Sequence, residues 1–290
     1  MKSLLFLSLI LRPPLGLDLY MPVPEANPLT PVKIALGRNL FFDKRLSLDG
    51  TVACVTCHEP KLAFSDGRKV ARGINGAEAT RNAPAIINRG YGRTFFWDGR
   101  AKSLEQQVLE PILNPKELGM TEALVESRTH LKVGEVTAAL ASYVRTIRSG
   151  DSRFDRYAAG HQNALSDLEK AGLVLCRGKA RCTTCHAGPN FTDENFHNTG
   201  IAWRDSKLTD QGSGEGKFKV PTLREVARTA PYMHEGSLAT LEDVVDYYDR
   251  GGNVNPELDE DLRPLHLTAE EKRAVVAFLR SLSGTVRAGK

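Results

Sequence analysis

The chain has 290 residues, 41% of them hydrophobic and 26% charged, with a formal net charge of +4. These are the proportions of an ordinary soluble globular protein, large enough to bury a core without help from disulfides. No block of five or six consecutive Lys or Arg occurs, so nucleic acid is not implied as a partner, and the mild basicity reads as a solvated surface.

In chain order, Met1-Lys2 followed by the apolar run Leu4–Leu11 has the form of a short export signal. The run is too short for a membrane span, which needs roughly 20 apolar residues, and no later segment qualifies. The protein is therefore expected to be exported and not integral to a membrane. Thr30-Pro31 opens a predicted helix through Leu40, with proline at the first helical position. Ser103 followed by Gln106 starts another in the manner of a capping box. Ala138 to Ile147 has helical apolar spacing. Ser166 with Glu169 opens the next helix, Leu241 to Tyr248 forms one stopped by Gly251-Gly252, and Thr268 with Glu271 caps the last. Long β-type alternation is absent. The stretches 64–96 and 187–222, rich in Gly, Asn, Pro and Arg, read as long ordered loops of the kind that wrap a ligand.

The five cysteines are Cys54, Cys57, Cys176, Cys182 and Cys185. An odd number argues against a pure disulfide framework. Cys54-Val55-Thr56-Cys57-His58 and Cys182-Thr183-Thr184-Cys185-His186 are two copies of Cys-x-x-Cys-His, the attachment pattern of c-type haem. The spacing puts both sulfurs on one face of a helical turn, where they add to the two porphyrin vinyl groups, and the following histidine meets the iron. A zinc site wants its cysteine pairs roughly 15–20 residues apart, much closer than Cys57 and Cys182. A thioredoxin-type motif needs a βαβ context that is missing. Cys176 has no partner in this scheme and reads as a buried small hydrophobe. After each motif comes a similar triplet, Phe64-Ser65-Asp66 and Phe191-Thr192-Asp193, which predicts duplication of one unit with a seam between about Gly150 and Ser166.

Further segments are Gly37-Arg-Asn-Leu-Phe-Phe-Asp43, Arg81-Asn-Ala-Pro84, Phe96-Trp-Asp-Gly-Arg100, Leu104-Glu-Gln-Gln107, Asn114-Pro115 with Glu117, Val220-Pro-Thr-Leu-Arg224 and Thr229-Ala-Pro-Tyr-Met-His-Glu-Gly236. With the two haem motifs, and in this order, they resemble the bacterial di-haem cytochrome c peroxidase family, over about Pro31 to Leu282. The resemblance implies a mostly α fold of two cytochrome c-like helical domains, each wrapping one c-type haem, with long ordered loops. It divides the chain into an export leader and extension (residues 1–24), an N-terminal peroxidatic domain (25–160) and a C-terminal electron-transfer domain (161–290). Two covalently bound haems c are implied, and with them a periplasmic location. The first haem, held by Cys54, Cys57 and His58, would meet hydrogen peroxide. The second, on Cys182, Cys185 and His186, would pass electrons.

The resemblance also assigns individual residues. Glu117 matches the distal acid that moves a proton between the peroxide oxygens, and Gln107 and Pro111 match residues of the same pocket. Trp97 matches the tryptophan between the haems. Asn82, Thr229 and Pro231 match the ligands of one Ca²⁺, through a side-chain oxygen and two backbone carbonyls. His234 matches a histidine near the haems, read as a partner for a propionate.

Two departures point to the MauG branch of the family. The distal histidine that blocks the peroxide haem in many members would fall near Ile74, and no histidine lies between His58 and His130, so an open iron is expected. The sixth ligand of the second haem, methionine in most members, falls on Tyr248; Met120 and Met233 are its rivals. In that branch both haems share two oxidising equivalents. The branch's surface tryptophan, two residues before the second motif, is Ala180 here, and Trp203 is the chain's other tryptophan. The electron source is thus expected to be a small cytochrome c or copper protein, or alternatively a side chain of a protein substrate. The competing class is a non-catalytic di-haem electron carrier, with both irons six-coordinate and no use for Glu117.

Overall fold

The structure, a computed structural model, describes residues 13–289. The apolar run of the expected export leader lies in residues 1–12, outside the described residues.

The chain is mostly helical, and most helices begin where the sequence places a cap. Helix α1 (Pro31–Phe41) starts after extended Thr30, whose hydroxyl accepts the Lys33 N–H at 3.2 Å. Proline at the first helical position leaves one fewer donor to satisfy. The first Cys-x-x-Cys is the single turn α2 (Cys54–Cys57). Helix α3 (Leu104–Leu113) is capped by Ser103, but the expected reciprocal bond shifts by one residue: Gln106 Oε1 accepts from Lys102 N at 2.9 Å. After α4 (Glu122–Thr129) comes α5 (Val133–Thr146), which begins ahead of Ala138 because Glu135 reaches back to accept the Lys132 N–H at 2.9 Å. Then come α6 (Arg153–Ala158), α7 (Asp167–Arg177), α8 (Leu241–Asp249) and α9 (Ala269–Ser281). The last three carry reciprocal capping boxes at Ser166/Glu169, Thr240/Asp243 and Thr268/Glu271. Helices α4 and α6 were not expected. The first buries only Val125, and the second is too short to display a period.

Two helix crossings organise two hydrophobic clusters. Helix α1 meets α5 around Leu40, Phe41, Leu140 and Tyr143, and α7 meets α9 around Leu173, Cys176, Val275 and Phe278. A third, smaller cluster of Ile201, Ala202, Phe218 and Tyr247 has Trp97, Met233 and Tyr248 packed against it.

Strands are short and pair antiparallel. β1 (Arg148–Gly150) takes the C-terminal β6 (Thr285–Arg287), while β2 (Phe196–His197) pairs with β5 (Phe218–Lys219) and β3 (Trp203–Arg204) with β4 (Lys207–Leu208). The last two pairs hold together the predicted loop 187–222, and β5 is tied to the other half of the chain where Lys219 N donates to Trp97 O at 2.8 Å.

Ion pairs cross the sequence midpoint. Arg89 grips Glu194 through two bonds of 2.6 and 3.1 Å, and Arg81 bridges Asp98 and Asp210. Arg224 and Asp155, each with a side chain 1% exposed, form a bidentate pair, and the same guanidinium donates to Gly16 O at 2.6 Å. A buried pair of this kind costs desolvation, which the Gly16 and Pro189 carbonyls offset by accepting two further N–H groups of the guanidinium.

Candidate functional site

Both histidines that follow the cysteine pairs are aimed by the same device. His58 N closes the turn onto Cys54 O at 3.0 Å, and His58 Nδ1 bonds Phe64 O at 3.1 Å. His186 N closes onto Cys182 O at 2.9 Å, and His186 Nδ1 bonds Phe191 O at 3.0 Å. The two phenylalanines are the matched residues of the repeated triplets. Both take left-handed backbone conformations, with φ of 60° and 51°, that turn their carbonyls toward the rings. A backbone acceptor at Nδ1 fixes the proton there and leaves Nε2 with its lone pair, the tautomer that binds a metal.

The two motifs open into one cavity of about 770 Å³. His58 and Cys57 line it from one motif, and Cys182, Cys185 and His186 from the other. Cys54 lies behind the wall. Glu117, Gln107, Pro111 and Asn114 also line it, as do Trp97, Asn82, Thr229, Pro231, Met233, His234 and Tyr248. The residues assigned a role at the haems, the peroxide pocket or the calcium site, other than Cys54 and the rival ligand Met120, therefore face one space. Among the rivals to Tyr248, Met120 is buried in the first hydrophobic cluster and is not part of the wall. Ile74 is also buried away from it, its N–H donating to Glu117 O at 2.9 Å.

Burial pushes the Glu117 carboxyl above its ordinary pKa, opposed by the Asn114 amide, which donates to Oε1 at 2.8 Å. Burial likewise pushes Tyr248 up, with neighbouring Tyr247, Cys185 and Cys182 adding to the effect. His234 is lowered to about 4 by burial, so it is neutral. Its ring stacks on Phe218 at 3.8 Å, and its buried Nδ1 has no hydrogen-bond partner among the described residues. The Trp97 indole donates to Asn82 O at 3.0 Å, and Asn82 Nδ2 donates to Arg68 O at 2.6 Å. No cluster of three or more His, Cys, Asp or Glu is placed to hold a metal ion among the described residues.

The wall suits a large apolar group bearing carboxylates. Lys219 lines it with a side chain 9% exposed, and its ammonium finds only Glu194 Oε1, at 3.8 Å. Glu194 is already gripped by Arg89, so the cluster carries one excess positive charge. Burial, with Arg89 nearby, lowers the Lys219 amine to about 7, the mark of a cation short of an anion. Lys219 and the orphaned His234 nitrogen could meet carboxylates of a bound porphyrin, and the two cysteine pairs and the two oriented imidazoles could hold it.

Comparison with known proteins agrees. A family model described as di-haem cytochrome c peroxidase matches residues 31–134. The methylamine utilization protein MauG of Methylorubrum extorquens is 40% identical over 90% of this chain and 81% of its own length. The chain belongs to the di-haem cytochrome c peroxidase family. Another member, the cytochrome-c peroxidase IdrP1 of a Pseudomonas species, is 35% identical over 94% of this chain and 86% of its own. The crystal structure of a MauG-like protein associated with microbial copper homeostasis superposes with a TM-score of 0.84 at 36% identity, covering 93% of this chain and 94% of that one. Membership makes the chain an oxidoreductase of the peroxidase class with haem c as its cofactor. Among the described residues no helix is long and apolar enough to cross a membrane.

Sequence reasoning missed Arg89, Glu194, His197 and Lys219. They sit in loops and two-residue strands too short to show a period, and their charges are legible as groups only when the fold brings distant positions such as Arg89 and Glu194 into contact. Cys176, expected to be a lone buried thiol, is 1% exposed as anticipated, and the neighbouring Cys182 together with burial pushes its pKa up.

Proposed function

We propose that the chain folds as two cytochrome c-like helical domains, each enclosing one haem c, that hydrogen peroxide is reduced at the N-terminal haem, and that electrons enter through the C-terminal haem. The observation that carries this reading is Glu117, a half-buried carboxylate fixed by Asn114 and facing the same cavity as His58. A haem iron on His58 supplies the redox chemistry of O–O cleavage. Glu117 accepts a proton from one peroxide oxygen and returns it to the other, which leaves as water; a carboxyl raised by burial is a better base for the first transfer. Asn114 holds the acceptor oxygen in place, while Gln107 and Pro111 give the pocket one amide and one apolar face.

Trp97 is the coupling residue between the haems, its indole locked by Asn82 O. Tyr248 would help His186 hold the second haem, favoured by its place on the wall near Cys182 and Cys185. Met233 is the remaining rival, and His234 is the partner of a propionate. One Ca²⁺ would be held by Asn82, whose amide nitrogen is already committed to Arg68 O, and by Thr229 and Pro231. A hard cation takes such neutral oxygens. The protein works in the periplasm, since c-type haem is attached outside the cytoplasm. Its electrons come from a small cytochrome c or copper protein.

A second reading is favoured by Tyr248 and by the 40% identity to MauG: the oxidising equivalents are quenched by a side chain of a partner protein. One experiment tests the common core. The diferric protein receives one equivalent of hydrogen peroxide without reductant. A fast Soret shift with a new near-infrared band is expected, and it decays on adding reduced cytochrome in the first reading but not in the second. Silence until one haem is reduced overturns the open site.

A further inference from the structure

The repeated triplets differ in what answers their aspartate. In the first half, Asp66 caps Arg68 N at 3.0 Å, and its second oxygen is buried with no hydrogen-bond partner among the described residues. In the second half, Asp193 caps Asn195 N at 2.9 Å and bonds His197 Nε2 at 3.0 Å. Four residues after Asp66 stands Val70; four after Asp193 stands His197. The other ring nitrogen, His197 Nδ1, bonds Asp259 Oδ2 at 2.5 Å. Asp259 belongs to the segment between α8 and α9, which is also latched by the Arg181–Asp261 ion pair, and Arg181 directly precedes Cys182. His197 lines the cavity and touches Cys185.

With a carboxylate at each nitrogen, both nitrogens must donate, so the ring is an imidazolium. The neighbouring Cys185 thiol and the two carboxylates outweigh desolvation and push its pKa to about 10. When Cys185 becomes a thioether, the two carboxylates remain. A half-buried fixed cation beside one motif, absent from the other, distinguishes the two halves of a duplicated fold.

We propose that His197, clamped between Asp193 and Asp259, is a positioning residue that raises the reduction potential of the second haem above the value the two carboxylates alone would set. A positive charge held next to a haem disfavours the ferric state, the more so away from bulk water. The inference rests on the reading that the second motif carries a haem, so intact mass and the pyridine haemochrome spectrum come first. Redox titration of the holoenzyme and of H197Q, H197K and D259N follows. The expected result is a lowered potential for one haem in H197Q, a raised potential for that same haem in D259N, a return toward the parent value in H197K, and an unmoved second potential throughout. Opposite signs are the electrostatic signature, whereas mere loosening moves both variants the same way. Unmoved potentials in H197Q, or shifts of one sign in H197Q and D259N, overturn the proposal. A mass with fewer than two haems overturns the di-haem reading itself.

Discussion

Gly37 lies so close to Ala139 that a Cβ built on it would stand 1.9 Å from the Ala139 carbonyl oxygen. Gly172 repeats this against Ala274 at 2.0 Å, and in both crossings the next residue met is an aromatic one turn on, Tyr143 or Phe278, through its Cβ. The two helix pairs are thus the same joint used twice. Gly37→Ala and Gly172→Ala should each destabilise the holoprotein by about 1–3 kcal/mol through overpacking. Gly134→Ala, where nothing lies within 4 Å, should be neutral or slightly stabilising. Thermal unfolding of the three variants checks this.

Glu117→Gln keeps the shape of the side chain but removes the base. It should reduce kcat/KM for peroxide about 10²–10⁴-fold while both haems stay attached. The raised pKa of Glu117 sets the sign of the pH effect. The reacting form is the carboxylate, so the rate should fall as pH drops, beginning above the ordinary carboxyl range. A pH profile of the variant that keeps this limb would remove Glu117 from the mechanism.

Tyr248→Met should raise the potential of the second haem, because a thioether replaces an anionic oxygen donor. Tyr248→Phe should leave that iron without its sixth ligand and shift its spectrum toward high spin. Met233→Leu should leave the ferric spectrum unchanged. The reverse pattern would transfer the ligand role to Met233.

Trp97→Phe retains packing and loses the indole N–H that bonds Asn82 O. After one equivalent of peroxide, the near-infrared band should be lost or strongly weakened, with peroxide consumption still measurable. A full-strength band in the variant would mean that the haems communicate by another route.

Exhaustive chelation tests the Ca²⁺ site. Removal should lower the thermal midpoint, and readdition of calcium but not magnesium should restore it, since magnesium dehydrates reluctantly and demands tighter geometry. Asn82→Ala should behave like the chelated protein and gain nothing from calcium.

What could be read in the sequence follows physical range. The caps at Thr30, Ser166 and Thr268 are local, as are the two haem motifs and the Gly251-Gly252 stop; helices α1, α7 and α9 begin at those caps, and α8 ends just before those glycines. The triplets Phe64-Ser65-Asp66 and Phe191-Thr192-Asp193 were visible as a repeat, but their use was not. Only the structure puts the phenylalanine carbonyls against the histidine rings. Glu117 was legible through its resemblance; alone, it would have read as one more loop glutamate. The charge cluster of Arg89, Glu194 and Lys219 was beyond reach, because its members gain meaning only from burial and from one another.

The single cavity has a consequence for how the protein is made. Both cysteine pairs open into one interior, so a chain that misses either attachment is left hollow on a side that the other haem cannot fill. Unfilled apolar volume costs stability at roughly 24 cal/mol per Å³. Incompletely matured chains should therefore open readily and fall to proteases, so that covalent loading doubles as an inspection step and the surviving population carries both haems.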